Sequence, residues 1–187
     1  MNPNRTILAI GASSSKNSIN KTLATYAANK VVGATVDVLD LNDFEMPIYS
    51  IDRELEGGIP AEARRFIESV KAADGIVISY AVHNGSYTAA FKNIIDWVSR
   101  AERSIWQNKP AFLLATSPGP RGGIDLLKQA VAGFPYQGGQ VAAQFSLPSF
   151  QTNFNGALTA PALQAAFQEQ LDLFSRALIQ TQPALTA

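Results

Sequence analysis

The chain has 187 residues, with 15 Lys+Arg balanced by 15 Asp+Glu, one His and no Cys. That length suits one domain over 1–187 with a core that needs no covalent staple. The missing cysteines exclude disulfides, thiolate zinc sites, iron–sulfur clusters and a cysteine nucleophile, and one histidine excludes a multi-histidine metal site. A net charge of zero argues against nucleic-acid binding, which rests on neutralising phosphates. No apolar run nears the ~20 residues that span a bilayer. Met1 to Arg5 leads into an apolar run too short for a signal peptide, so a cytoplasmic protein is expected.

Ile7 to Gly11 is a short apolar run ended by glycine and serines, the pattern of a buried parallel strand. Leu23, Tyr26, Ala27 and Val31 then recur at helical spacing, with Ser18 placed to cap that helix. Ala34 to Leu39 is a second strand, and polar Asp43 to Gly58 is expected as a long loop. Pro60 opens a helix with Phe66, Ile67 and Val70 as its apolar stripe. Gly75 to Ser79 is a third strand, followed by the Asn84-Gly85-Ser86 turn and a helix over Ala89 to Val98. Pro110 to Ala115 is a fourth strand, Asp125 to Val131 a helix, Gln140 to Phe145 a fifth strand, and Pro161 opens a last amphipathic helix.

Strand and helix alternate throughout, which predicts an α/β fold: a three-layer, doubly wound, parallel five-stranded sheet of order 2-1-3-4-5. Ligands of such sheets bind outside the carboxyl ends of the strands, at the switch point. The segments after strands one, three and four are all rich in Gly, Ser or Asn, and all should meet there.

The first of these, Ser13, Ser14, Ser15, Lys16, Asn17, Ser18, Ile19 and Asn20, lacks the Gly-Lys-Ser/Thr of a Walker A loop and the second glycine of a dinucleotide fingerprint. It offers hydroxyls, N–H groups and a helix N-terminus, an array that binds phosphate; the plainer alternative is a polar loop capping its helix. The second, Val82, His83, Asn84, Gly85 and Ser86, carries the histidine. No Gly-x-Ser-x-Gly elbow accompanies it, which disfavours a hydrolase, and no catalytic side chain is assigned. The third runs Ser117 to Gly123, and its glycines Gly119, Gly122 and Gly123 let backbone approach a flat ligand closely. A phosphate site beside a planar slot describes a flavin mononucleotide (FMN) pocket.

Three ordered motifs carry a resemblance to the NADPH-dependent FMN reductases of flavodoxin-like fold, chromate and quinone reductases among them. Ser13, Ser18 and Asn20 match the first motif, with Lys21 in place of its final Arg and Ser15 where many members carry Arg. Asn84 and Ser86, followed by Phe91-Lys92-Asn93-Ile94-Ile95-Asp96-Trp97, match the second, with Ala81-Val82-His83 replacing Pro-Glu-Tyr. Ser117, Gly119, Gly122 and Gly123 match the third, and Met46-Pro47-Ile48-Tyr49 resembles a further family segment. The resemblance implies bound FMN, NAD(P)H as co-substrate, and a small acceptor such as a quinone, free flavin, metal oxyanion or azo compound. It implies a homodimer or homotetramer with the loop around Met46 to Asp52 near the partner's flavin. The alternatives are a non-enzymatic flavodoxin-type carrier, which zero net charge disfavours, and a flavin-binding regulatory module.

Overall fold

The computed structural model describes residues 5–180. Its strands are β1 (Arg5–Ala12), β2 (Ala34–Leu39), β3 (Gly75–Tyr80), β4 (Pro110–Thr116) and β5 (Gln140–Leu147). Its helices are α1 (Ile19–Asn29), α2 (Ile51–Gly57), α3 (Ala61–Ala72), α4 (Ala89–Ala101), α5 (Ile124–Gly133), α6 (Phe150–Asn153) and α7 (Pro161–Gln180). The strands pair in parallel in the order β2-β1-β3-β4-β5, the flavodoxin-like arrangement expected from the alternation. The segment Met1 to Asn4 lies outside the described residues.

Alternation within each strand builds two cores. Ile7 and Ala9 of β1, Val77 of β3 and Phe112 and Leu114 of β4 pack under α1 and α7. Leu8 and Ile10, Ile76 and Ile78, and Leu113 point to the other face, under α3, α4 and α5. β3 and β4 are buried along their whole length, so they read as continuous apolar runs. Each fully buried Ile or Leu contributes about 1.5–3 kcal/mol. The edge strand β2 keeps a half-exposed pattern.

The register sets the functional edge. Gly11 pairs with Ser79, Ala12 with Tyr80, Tyr80 with Ala115, and Thr116 with Leu147. The carboxyl ends of β1, β3, β4 and β5 are therefore level, and the connecting loops leave from one rim. Gly11 lets α1 lie against that rim: a Cβ there would stand 2.5 Å from the Cα of Lys21.

The stretch expected as a long loop is ordered differently. One turn of 3-10 helix spans Leu41–Phe44, and Ile51–Gly57 forms α2, capped by Ser50. α2 buries none of its side chains, so it leaves no apolar stripe in the sequence. The segment before it is clamped to α4. The Asn93 carboxamide donates to the carbonyls of Met46 and Pro47 at 3.1 Å each and accepts from the Tyr49 N–H at 2.9 Å. The Trp97 indole donates to Pro47 O at 2.7 Å. Tyr49 Oη donates to Glu54, which also pairs with Arg100 at 2.8 Å. That pairing holds the Glu54 carboxyl below its usual range. The single-turn helix α6 was not expected either.

Candidate functional site

The three loops meet in one cleft of about 200 Å³ at the carboxyl rim of the sheet. Ser13, Ser15, Asn17, Ser18, Ile19 and Asn20 line one side, Val82 and His83 another, and Ser117 the third. Ala81, Thr116 and Pro118 complete the wall without having been singled out in the sequence.

Side chains that end the strands fix this geometry. Asn20, in the first turn of α1, is 3% exposed. Its Nδ2 donates to the carbonyl of Thr116 at 3.2 Å, and its Oδ1 accepts from the Thr116 N–H at 3.1 Å and from Ser79 Oγ at 2.7 Å. The carboxamide therefore joins α1 to the ends of β3 and β4. Thr116 Oγ1 donates to Leu147 O at 2.7 Å, which adds β5. Thr88 caps α4, accepting from Phe91 N–H, and donates to Ala12 O at 3.0 Å, which adds β1. The Asn20 carboxamide is thus tied to the strand ends, and its backbone N–H finds no acceptor among the described residues.

The first loop is a nest of free donors. Ser18 has extended backbone angles, and its Oγ accepts from Lys21 N–H at 3.2 Å, capping α1. Ser13 Oγ accepts from Ser15 N–H at 3.2 Å. Both hydroxyls are buried and donate to nothing among the described residues. The N–H groups of Ser14, Lys16, Asn17, Ile19 and Asn20 likewise find no acceptor there. Orphan donors at a helix N-terminus, aided by its dipole, suit an anion. Lys21 does not add its charge to the array. Lys21 Nζ instead pairs with Asp40 at 2.7 Å, and the Lys21 ammonium holds the Asp40 carboxyl below its usual range.

Some candidate residues lie off the cleft. Ser14 is exposed and lines a neighbouring cavity with Phe44, Met46 and Asn93. Lys16 lines an open groove beside Lys21 and Asp40. Asn84 and Gly85, at φ 51° and 79°, form a two-residue turn in which His83 and Ser86 exchange both backbone bonds at 3.0 Å. This hairpin brings the exposed His83, which hydrogen-bonds to no carboxylate among the described residues, to the cleft. In the third loop, Ser117 Oγ donates to Gly119 O at 3.3 Å. A Cβ on Gly122 would meet the backbone of Leu147 and Pro148 at 2.8 Å, so that glycine serves packing on β5. A Cβ on Gly123, at φ 76°, would meet Val82 Cγ2 at 3.0 Å, so this glycine lets the second and third loops touch. The N–H groups of Val82, Ser117 and Gly119 find no acceptor among the described residues.

A family model described as NADPH-dependent FMN reductase matches residues 5–152, which takes in all three loops. The chain belongs to this family. A quinone reductase of Escherichia coli (strain K12) is 34% identical over 95 residues, 50% of this chain and 50% of that protein. A 2-hydroxy-1,4-benzoquinone reductase of Burkholderia sp is 32% identical over 118 residues, 62% of each. The chain thus spans about half the length of the first of these curated relatives. FerB, a flavoenzyme NAD(P)H:(acceptor) oxidoreductase from Paracoccus denitrificans, shares the fold. It has a TM-score of 0.74 and 22% identity, covering 94% of this chain and 98% of that one.

Proposed function

We propose that the chain, as one FMN-binding domain over 1–187, is an NAD(P)H-dependent FMN oxidoreductase that passes electrons to a small acceptor such as a quinone. The observation that carries this reading is the cleft of uncommitted donors at the switch point, in a chain of the FMN reductase family. The residues fit the cofactor. The Ser13 and Ser18 hydroxyls and the N–H groups of the first loop would hold the phosphate, and the second and third loops would flank the ring system. Bound FMN supplies two-electron transfer between a nicotinamide and an acceptor.

The chain's own contribution is binding and orientation. The Asn20, Ser79 and Thr116 bonds hold α1 at a fixed distance from β3 and β4, so the phosphate donors stay aligned with the two other loops. Preformed donors at Val82, Ser117 and Gly119 would stabilise negative charge on the ring without reorganising. The exposed His83 would pack or hydrogen-bond at the ring edge. A homodimer or homotetramer is part of the proposal. Ile48, Ile51 and Leu55, all exposed beside the clamped 46–50 segment, support it. So is a cytoplasmic setting, since the reduced nicotinamide is an intracellular reductant.

The test is steady-state oxidation of NADPH and of NADH by protein reconstituted with FMN, with 1,4-benzoquinone as acceptor. The reading requires quinone-dependent turnover that is lost without FMN. Tight FMN binding with no turnover on either nicotinamide would instead make the chain a carrier or a regulatory module.

A further inference from the structure

A second cavity, of about 420 Å³, opens on the other side of the β3–α4 hairpin, between α4 and α5. Tyr80, Tyr87, Ile95, Phe134 and Tyr136 form its aromatic and aliphatic wall, and Lys92, Asp96, Ser99, Arg103 and Gln137 line the rest. Tyr80, Tyr87 and Phe91 pack edge to edge, with the Tyr80 ring 5.6 Å from each of the other two.

Two phenol hydroxyls and one guanidinium here are unspent. Tyr80 is 2% exposed and lines the cavity, yet its hydroxyl bonds to nothing among the described residues. The half-buried Tyr87 hydroxyl is also unpartnered there. Burial raises the pKa of both phenols, and the nearby Tyr87 raises that of Tyr80 further, so both stay protonated donors at neutral pH. At the rim, Lys92 is paired with Asp96 at 2.5 Å, whereas Arg103 has no ion pair or hydrogen bond among the described residues. The cavity therefore carries one positive charge beyond the Lys92–Asp96 pair, beside an aromatic slot whose two phenol hydroxyls are free to donate to a ligand oxygen.

We propose that this cavity binds a planar aromatic anion of the aryl-carboxylate class, its ring stacked among the tyrosines and Phe134 and its oxygens toward Arg103 and the phenol hydroxyls. A buried hydroxyl with no partner leaves binding free energy for a ligand oxygen. An open aromatic slot gives a ring area to bury. This site is separate from the phosphate cleft, although Tyr80 and Tyr87 anchor both ends of the hairpin that lines that cleft.

The test is calorimetric titration of the purified protein with 2-naphthoate, with 2-naphthalenemethanol as the uncharged comparison, and amide chemical shifts to place the site. The expected result is one saturable site per chain, with shifts at Tyr80, Tyr87 and Phe134, and at least about tenfold weaker binding of the alcohol. Tyr80→Phe removes one oxygen and should weaken 2-naphthoate about fivefold. Should that variant fail to fold, Arg103→Gln, at an exposed side chain, should weaken it about tenfold. Four outcomes would each overturn the site: no saturable binding, shifts confined to Ser13 to Asn20, equal affinity for the alcohol, or a slot covered by a second copy of the chain. None depends on whether FMN turnover is observed.

Discussion

Replacing Asn20 with Ala is the sharpest perturbation of the architecture behind the cleft. The substitution deletes three hydrogen bonds, of 2.7, 3.1 and 3.2 Å, at a side chain that is 3% exposed. It strands the Ser79 hydroxyl and the N–H and carbonyl of Thr116, and both residues are nearly inaccessible. Each buried group left unsatisfied costs about 1–3 kcal/mol, and water entering the vacated volume recovers part of that. A net loss of about 3 kcal/mol is expected, which for a chain of this size lowers Tm by about 6–12 °C. FMN affinity should fall by about tenfold or more, because the proposed phosphate donors lie on the N-terminus of α1 and on the loop that leads into it. Asn20→Asp should fare no better, since a carboxylate accepts the two donated bonds but sets an oxygen against Thr116 O. Scanning calorimetry of the FMN-free protein isolates the stability effect, with exposed Asn17→Ala as the control expected within about 0.5 kcal/mol of wild type. An Asn20→Ala variant that melts with wild type would refute the claim that this side chain binds the strand ends together.

Three further outcomes are expected. Replacing Ser13 and Ser18 together with Ala removes hydroxyls worth about 1.5–3 kcal/mol each toward a charged group, and fluorescence titration should show FMN affinity down by at least about tenfold. Gly11→Ala puts a Cβ 2.5 Å from the Lys21 backbone, so α1 must shift. Such overpacking costs about 1–3 kcal/mol, visible in denaturant midpoint, with looser FMN binding alongside. The Asp40 carboxyl is held low by Lys21 and then by Asn42, so its stabilisation is complete above the usual carboxylate range and is lost as pH falls through its lowered value. Asp40→Asn should therefore lower Tm by a degree or two, roughly, at pH 7. The difference from wild type should shrink as the pH falls below the usual carboxylate range, and a gap that does not narrow on acidification would contradict the pairing.

The fold was legible because its signals are local. Ile7 to Ile10, Ile76 to Ile78 and Ala111 to Leu114 are fully buried strands, and full burial writes itself as an unbroken apolar run. The helices that cover the sheet show a stripe because only one side of each is wet. α2 packs no side chain into either core, so the same argument run backward hides it. The meeting of three loops was legible from topology, since parallel strands place all their outgoing loops on one rim. Side-chain direction within those loops was not. Ser13 turns into the cleft and Ser14 out of it, although both are serines in one run. Lys21 is taken up by Asp40 at the end of β2, and Asn20 by Thr116, 96 positions away. Such pairings are decided by the packing of α1 on the sheet, which short-range pattern does not encode. The asparagine and tryptophan of the α4 motif gained a physical role only when Met46 and Pro47 were seen beneath them.

The most direct test of the account compares FMN with riboflavin, which differ by the phosphate alone. Fluorescence quenching titrations of the flavin-free protein give both dissociation constants under one buffer. If the phosphate lies among the Ser13 and Ser18 hydroxyls and the free N–H groups of the first loop, several charge-assisted bonds of about 1.5–3 kcal/mol each favour FMN, so it should bind at least about a hundredfold more tightly. The Ser13/Ser18 double Ala variant should then weaken FMN and leave riboflavin unchanged. Equal affinity for the two flavins in the wild-type protein would show that the serine cleft is not where the phosphate sits.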